Sequence, residues 1–399
     1  MTARRRALTP VPSVDASVAR RPDGPRGGGS SARSSFLLMA VLVAVLNGIG
    51  LVMVLSASSV QSLAELGSTW GYFMRQATWL GVGTAALACT LAVDYRRWRR
   101  LAVPLLALSG LLLVAVLSPL GVKVNGAQSW LAVGSARMQP AELVKLALLL
   151  FCADLLARRA HRLHDSSLTL RPILVVAGAV SVLMMLQPDL GTTIVLASIV
   201  GSVLFLGGIP LARLTGVLAL ASAGFVALAM SAAYRRDRIL AFLHPAEDPM
   251  NTGYQLTQSL TGVASGGLFG VGVGASRAKY GFLPNAHTDF IFAIISEELG
   301  LLGALLVLGL FVAFAVVGVR IAMQAPDRFG MLVAGGITAW LLAQAVVNIG
   351  GVLGLLPITG LTLPYISFGG SSLVVTMAAT GILLNIARQG SARGRRQTA

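Results

Sequence analysis

Asp289 stands in the stretch LPNAHTDFIFAIISEELG, 283–300, with His287 and Thr288 before it and an apolar run after it. A carboxylate at an apolar rim can have a raised pKa and serve as a general base. The plainer alternative is a helix cap from Thr288 or Asp289, but a cap needs neither the adjacent histidine nor nearby cations. Those cations are Arg277 and Lys279, in the glycine run GGLFGVGVGASRAKY at 266–280. Glycines let backbone N–H groups approach an anion, so the run reads equally as an anion cradle or as a pliable loop. Glu297 and Glu298 follow Asp289 by eight and nine residues, roughly 12–14 Å along a helix axis.

A second group lies in VNGAQSWLAVGSARMQPAELVKL, 124–146. Asn125-Gly126 signals a turn, and Gln139 precedes a proline suited to the first turn of a helix. Glu142 and Lys145 are three apart and share a helix face. They read as a self-neutralising pair, as a functional site, or as both. Asp189, in LQPDLGTTIVL at 186–196, reads first as a helix N-cap. The segment 348–373, with two prolines and six glycines, predicts irregular backbone lining a cavity or buried in protein. No Walker A, HExxH or GxSxG sequence and no His/Cys cluster is present, so ATP hydrolysis and zinc chemistry have no sequence basis and no metal ligands are assigned.

The elements that must carry these residues follow from composition. The chain has 399 residues, 55% of them hydrophobic and 12% charged, with 31 Lys+Arg against 15 Asp+Glu. A soluble domain carries about 25% charged residues, so the composition argues against a soluble enzyme and excludes a disordered or fibrous chain. The net charge of +16 does not point to nucleic acid, because the basic residues lie between apolar runs rather than on one face. Cys89 and Cys152 read as small buried residues, not as a disulfide framework. The expected fold class is an all-α polytopic membrane protein with ten spans, near 36–57, 73–93, 101–118, 139–157, 172–187, 190–208, 214–233, 287–319, 329–355 and 366–387. Residues 1–35 are expected to be a disordered basic tail, 36–388 the membrane domain and 389–399 a second basic tail. With both termini in the cytoplasm, 22 Lys/Arg fall inside and eight on outer loops and rims, as the positive-inside rule requires. One long outer loop, 234–286, is expected to be ordered and packed on the membrane surface.

Taken in order, NGAQSW…ARMQPAELVK, QPDLGT, YQLTQSL…LPNAHTDFIFAIISEELG and GLLPITGLTLPYISFGGSSL resemble the signature stretches of the SEDS proteins, the FtsW/RodA family. The likeness runs from about Gly50 to Arg388. GLVMVLSASS and YRRDRILAFLHPAED are more similar to the FtsW division members than to the RodA elongation members; a sporulation member is a further alternative. The resemblance implies a peptidoglycan glycosyltransferase that polymerises lipid II in the cytoplasmic membrane at the division septum. It implies as partners a class B penicillin-binding protein of the FtsI type and other division membrane proteins. It maps the essential carboxylate to Asp289 and the required helix residues to Arg137, Glu142 and Lys145. Trp130, Gln139, Arg277, Lys279 and His287 complete the expected substrate-binding set. Ser129 stands where many members have arginine before the tryptophan, so Arg137 or Lys123 would have to supply that anion contact. The implied reaction is an inverting transfer with an undecaprenyl diphosphate leaving group. Its charge would be offset by Arg and Lys, with a divalent cation, Mg or Mn, as the alternative. A lipid II flippase or transporter is the competing class, and a scaffold for division partners is a third. The absence of a clear inverted repeat and a long loop ending at Asp289 favour the enzyme.

Overall fold

The computed structural model describes residues 28–124, 127–134, 136–162, 168–230, 242 and 252–398. Long apolar runs without water to bond their backbone have to satisfy it internally, and the helix does so within one segment. Eleven α-helices result among the described residues: α1 (Gly28–Leu66), α2 (Gly71–Ala92), α3 (Trp98–Leu117), α4 (Pro140–Arg158), α5 (Leu170–Leu186), α6 (Leu190–Leu206), α7 (Leu211–Met230), α8 (Thr252–Ser265), α9 (Ile291–Met323), α10 (Arg328–Val352) and α11 (Gly370–Thr398). A helix lies over each of the ten expected spans, and α8 is additional. Among the described residues, five helices suffice by length and composition to cross a membrane: α1, α3, α9, α10 and α11. The count of ten crossings thus remains an expectation.

Several sequence expectations change. Helix α1 begins at Gly28, inside the stretch expected to be tail, and α11 continues through most of the expected C-terminal one. Residues 1–27, most of 231–251 and the Asn125-Gly126 turn lie outside the described residues. The span expected from 287 begins at Ile291, so His287 to Phe290 precede it. Cys89 is exposed on α2, whereas Cys152 is buried as expected. The fold is also not purely helical. Strands β1 (Gly121–Val124), β2 (Ala127–Val133) and β3 (Ala136–Met138) form an antiparallel meander ahead of α4, pairing Val122 with Trp130 and Ala132 with Arg137. Gln128 pins this sheet to the end of α3 by donating to Val116 O (2.9 Å) and Ser118 O (2.8 Å).

Helix α10 forms the centre of the bundle. Its apolar stretch is 72% buried, against 22% for the segment containing α3. It packs on α4, α6, α9 and α11. Between α10 and α11 the chain runs without regular structure, yet Leu361, Leu363, Tyr365, Ile366 and Ser367 are all buried. Gly50 of α1 packs on this segment so closely that a Cβ would stand 2.6 Å from Tyr365 O. The irregular backbone expected at 348–373 is therefore present and enclosed by helices.

Helix α9 breaks at Gly300 (φ 67°, ψ −165°), a conformation open essentially to glycine alone. Past the break, Leu301 N donates to Gly267 O (2.9 Å) and Leu302 N to Leu268 O (3.3 Å), while Val271 N and Gly272 N donate to the carbonyls of Glu297 and Glu298. A Cβ on Gly300 would lie 2.3 Å from Gly270 N. Gly300→Ala should therefore cost roughly 2–4 kcal/mol, seen as a lower melting temperature in detergent. Gly309→Ala, on the same helix with nothing within 4 Å of an added Cβ, should stay within about 1 kcal/mol of the parent. Equal melting temperatures for the two variants would contradict this account of the break.

Candidate functional site

Asp289 is two residues ahead of α9 and partly exposed. It lines a small cleft with Asn348 and Val352 of α10 and with Thr359, Gly360 and Leu361 of the irregular segment. Gly360 (φ +74°) presents bare backbone here, and a Cβ on it would lie 3.6 Å from Asp289 Oδ2. The cap residue of α9 is Phe290, without a side-chain bond to the helix end, and Thr288 Oγ1 instead donates to Asn285 O (3.1 Å). Three contacts fix the backbone around the carboxylate. Asn348 Nδ2 donates to Asp289 O (2.8 Å), Ser367 Oγ to Thr288 O (2.6 Å) and Phe368 N to His287 O (3.0 Å).

Glu142 and Lys145 form the expected pair, Nζ to Oε2 2.7 Å, at 4% and 0% exposure. The contact is ionic by distance, but Glu142 Oε2 lacks hydrogen-bond geometry to any partner. Charges this deep need more than each other. Lys145 Nζ also donates to Gln344 Oε1 (2.9 Å) and lies 5.3 Å from the Trp340 ring centre. Gln344 in turn donates from Nε2 to Thr362 O (3.0 Å). Gln344 and Asn348 are four apart on α10 and share a face. One holds the ion pair, the other holds Asp289, and both hold the segment between α10 and α11.

Helices α4, α6, α9 and α11 start at this end of the bundle, as does α2, whose Tyr72 packs on His287 and Phe368. Gln139 N, at the cap of α4, donates to Ser371 Oγ in the first turn of α11 (3.2 Å). Asp189 caps α6 as expected, accepting from Thr192 N (2.9 Å) and Thr192 Oγ1 (2.8 Å), and lies within electrostatic reach of Lys145 and Glu142. Gly191 beside it packs on Thr359 O. The partial positive charge of these helix starts is therefore directed at the neighbourhood of the cleft. Arg137 is exposed on β3, two residues from that α4 cap, and Trp130 is partly buried on β2. Ser129 is buried against Gln187 O (3.4 Å).

The glycine run serves a purpose other than an anion cradle. Its glycines allow backbone contact with the break in α9: a Cβ on Gly266 or Gly270 would collide with the carbonyls of Ser296 or Glu298. Glu297 accepts from Ser276 Oγ (2.5 Å) and Arg277 N (2.8 Å), anchoring the backbone of Arg277 while its side chain stays exposed. Lys279 is buried, pairs with Glu298 (3.6 Å) and donates to Gly274 O, so its charge is neutralised inside the fold. Ser56 of α1 donates to the same Glu298 (2.6 Å). His287 is buried in an aromatic box with Tyr72 (ring centres 4.7 Å) and Phe368 (5.4 Å). Sequence reasoning missed Gln344 and Asn348; two amides four apart in a helix otherwise apolar were the available signal. Among the described residues no three His, Cys, Asp or Glu converge to hold a metal ion.

Comparison with known proteins places this arrangement. The profile of the FtsW/RodA/SpoVE family, described as a cell cycle protein, matches residues 36–392. Stage V sporulation protein E of Bacillus subtilis is 41% identical over 353 residues, covering 88% of this chain and 96% of that one. The probable peptidoglycan glycosyltransferase FtsW of Mycobacterium tuberculosis is 44% identical over 359 residues, 89% of this chain and 68% of that one. Among solved structures, a chain from work on the structural coordination of polymerization and crosslinking by a peptidoglycan synthase complex superposes with a TM-score of 0.73 at 33% identity, covering 88% of this chain and 97% of that one. The rod shape determining protein RodA of Thermus thermophilus gives 0.65 at 32% identity, over 88% and 96% of the two chains. With nearly the whole helical body matched and the motif segments meeting at one end of it, the chain belongs to the FtsW/RodA/SpoVE family, the SEDS proteins.

Proposed function

We propose that this protein is a peptidoglycan glycosyltransferase that polymerises lipid II, working from the outer side of the cytoplasmic membrane at the division septum. One observation carries the reading: Asp289 lines a cleft at the end of the bundle where α4, α6, α9 and α11 start. The distribution of Lys and Arg supports cytoplasmic termini and an outward cleft. Asp289 takes the proton of an acceptor sugar hydroxyl. The freed oxygen pair attacks the anomeric carbon of the growing strand, the bond from that carbon to diphosphate breaks, and the lipid diphosphate leaves with inversion. Charge on the leaving group is met by the helix starts and by the exposed guanidinium groups of Arg137 and Arg277. Gln139, the cap of α4, and Trp130, on the sheet before it, frame the substrate. Glu142 and Lys145 act from within by holding Gln344 and the segment that shapes the cleft. A class B penicillin-binding protein is the partner that crosslinks the product; the likeness to a chain from a peptidoglycan synthase complex supports it.

Asp289→Asn should abolish glycan polymer from lipid II in a purified system while leaving the melting temperature close to that of the parent. Polymer at near-parental rates from a folded variant would remove Asp289 from the role. Movement of lipid II across vesicles by the parent, without polymer, would favour a flippase.

His287 is a positioning residue in this scheme. Burial pushes its imidazole down to about 4 from the usual 6.5, with the charge of Glu65 opposing. The folded protein keeps it neutral while the unfolded chain protonates it near 6.5. Its contribution is therefore complete above pH 6.5 and is lost as pH falls toward 4, by about 3 kcal/mol in all. The drop in melting temperature between pH 7.5 and pH 5 should shrink in His287→Phe. An undiminished drop would contradict the assignment.

A further inference from the structure

Asn348 is 4% exposed and lines the same cleft as Asp289. Its Nδ2 donates to two carbonyl oxygens, Asp289 O at 2.8 Å and Leu361 O at 2.6 Å. Two acceptors on one side fix which atom of the amide is nitrogen, because the reverse orientation would set oxygen against oxygen. The orientation of Oδ1 is thereby fixed as well, and Oδ1 is buried without a hydrogen-bond partner. An unmet buried acceptor is costly, and native proteins keep few of them. A hydroxyl-bearing substrate in the cleft would meet it. Gly360, in the same cleft, puts no side chain beside the carboxylate, where a Cβ would stand 3.6 Å from Asp289 Oδ2.

We propose that Asn348 is a substrate-contacting residue beside Asp289: its side-chain oxygen accepts a hydrogen bond from a hydroxyl or amide N–H of the acceptor sugar, while its nitrogen holds the backbone that carries the carboxylate. The proposal rests on the reading of this cleft as the polymerisation site. It assigns Asn348 a role in recognition separable from proton transfer. The acceptor hydroxyl then approaches Asp289 already oriented by a second polar atom, which raises the fraction of productive encounters.

The test is lipid II binding to the full chain in detergent, measured in an Asp289→Asn background so that turnover does not intervene. Asn348→Ala in that background should weaken binding roughly tenfold or more. In the otherwise unaltered chain it should raise KM for lipid II as well as lower kcat. A residue that only positioned Asp289 would lower kcat and leave binding unchanged. If the alanine variant does not fold, Asn348→Leu, of similar size, takes its place. It likewise removes the acceptor oxygen, so binding should weaken to a similar extent. Parental binding by either folded variant would overturn the proposal. If Asp289→Asn polymerises normally while the Asn348 variants lose binding, the proton-transfer reading fails and the contact stands.

Discussion

A polar group enclosed in an apolar bundle has no water to turn to, so it has to find its partner inside the protein or the fold does not form. That constraint shapes this molecule from the ion pair outward. Glu142 and Lys145 neutralise each other within one helix, yet Lys145 also needs Gln344, and Gln344 needs Thr362. Each requirement recruits another element, until α4, α10 and the segment before α11 are locked in one register. Such a buried pair is weak evidence for net stability. Its consequence here is geometric, because the polar chain ends one helical turn from Asn348 and hence at the backbone of Asp289.

The same rule explains the loop before Asp289. The break at Gly300 frees backbone groups of α9, and the glycine run supplies their partners by approaching without side chains in the way. Glu297 and Glu298, two turns along the helix from Asp289, then bind the loop through Ser276, Arg277 N and Lys279. The half of α9 that starts after the carboxylate is thus also the anchor of an exposed arginine. Position of the acid and position of the cation are set by one rigid piece, the kind of support a reacting geometry needs.

Much of this was legible in the sequence. Apolar runs of spanning length announced every long helix, and charges inside or beside such runs marked Asp289, Glu142 and Lys145. Strands β1–β3 escaped notice because they are short, although the flanking Asn125-Gly126 and the alternation around Lys123 and Gln128 were hairpin signals. Helix α8 lay hidden in a loop, although Leu256, Ser259 and Val263 follow helical spacing. Gln344 and Asn348 were silent for a different reason. A neutral amide carries little of the insertion cost that makes a charge conspicuous, and the partner of Gln344 is 199 residues away. Lys279 and the glycine run were open to misreading because only tertiary contacts reveal that Glu298 and the break in α9 occupy them.

The central claim is that the carboxylate of Asp289 meets a lipid-borne sugar in the cleft between α9, α10 and the segment before α11. An experimental structure of the chain with lipid II bound tests it most directly. The account predicts a sugar hydroxyl within about 3 Å of the Asp289 carboxylate, with the diphosphate near the starts of the surrounding helices. A headgroup seated elsewhere, with the cleft at residue 289 closed to it, would contradict it.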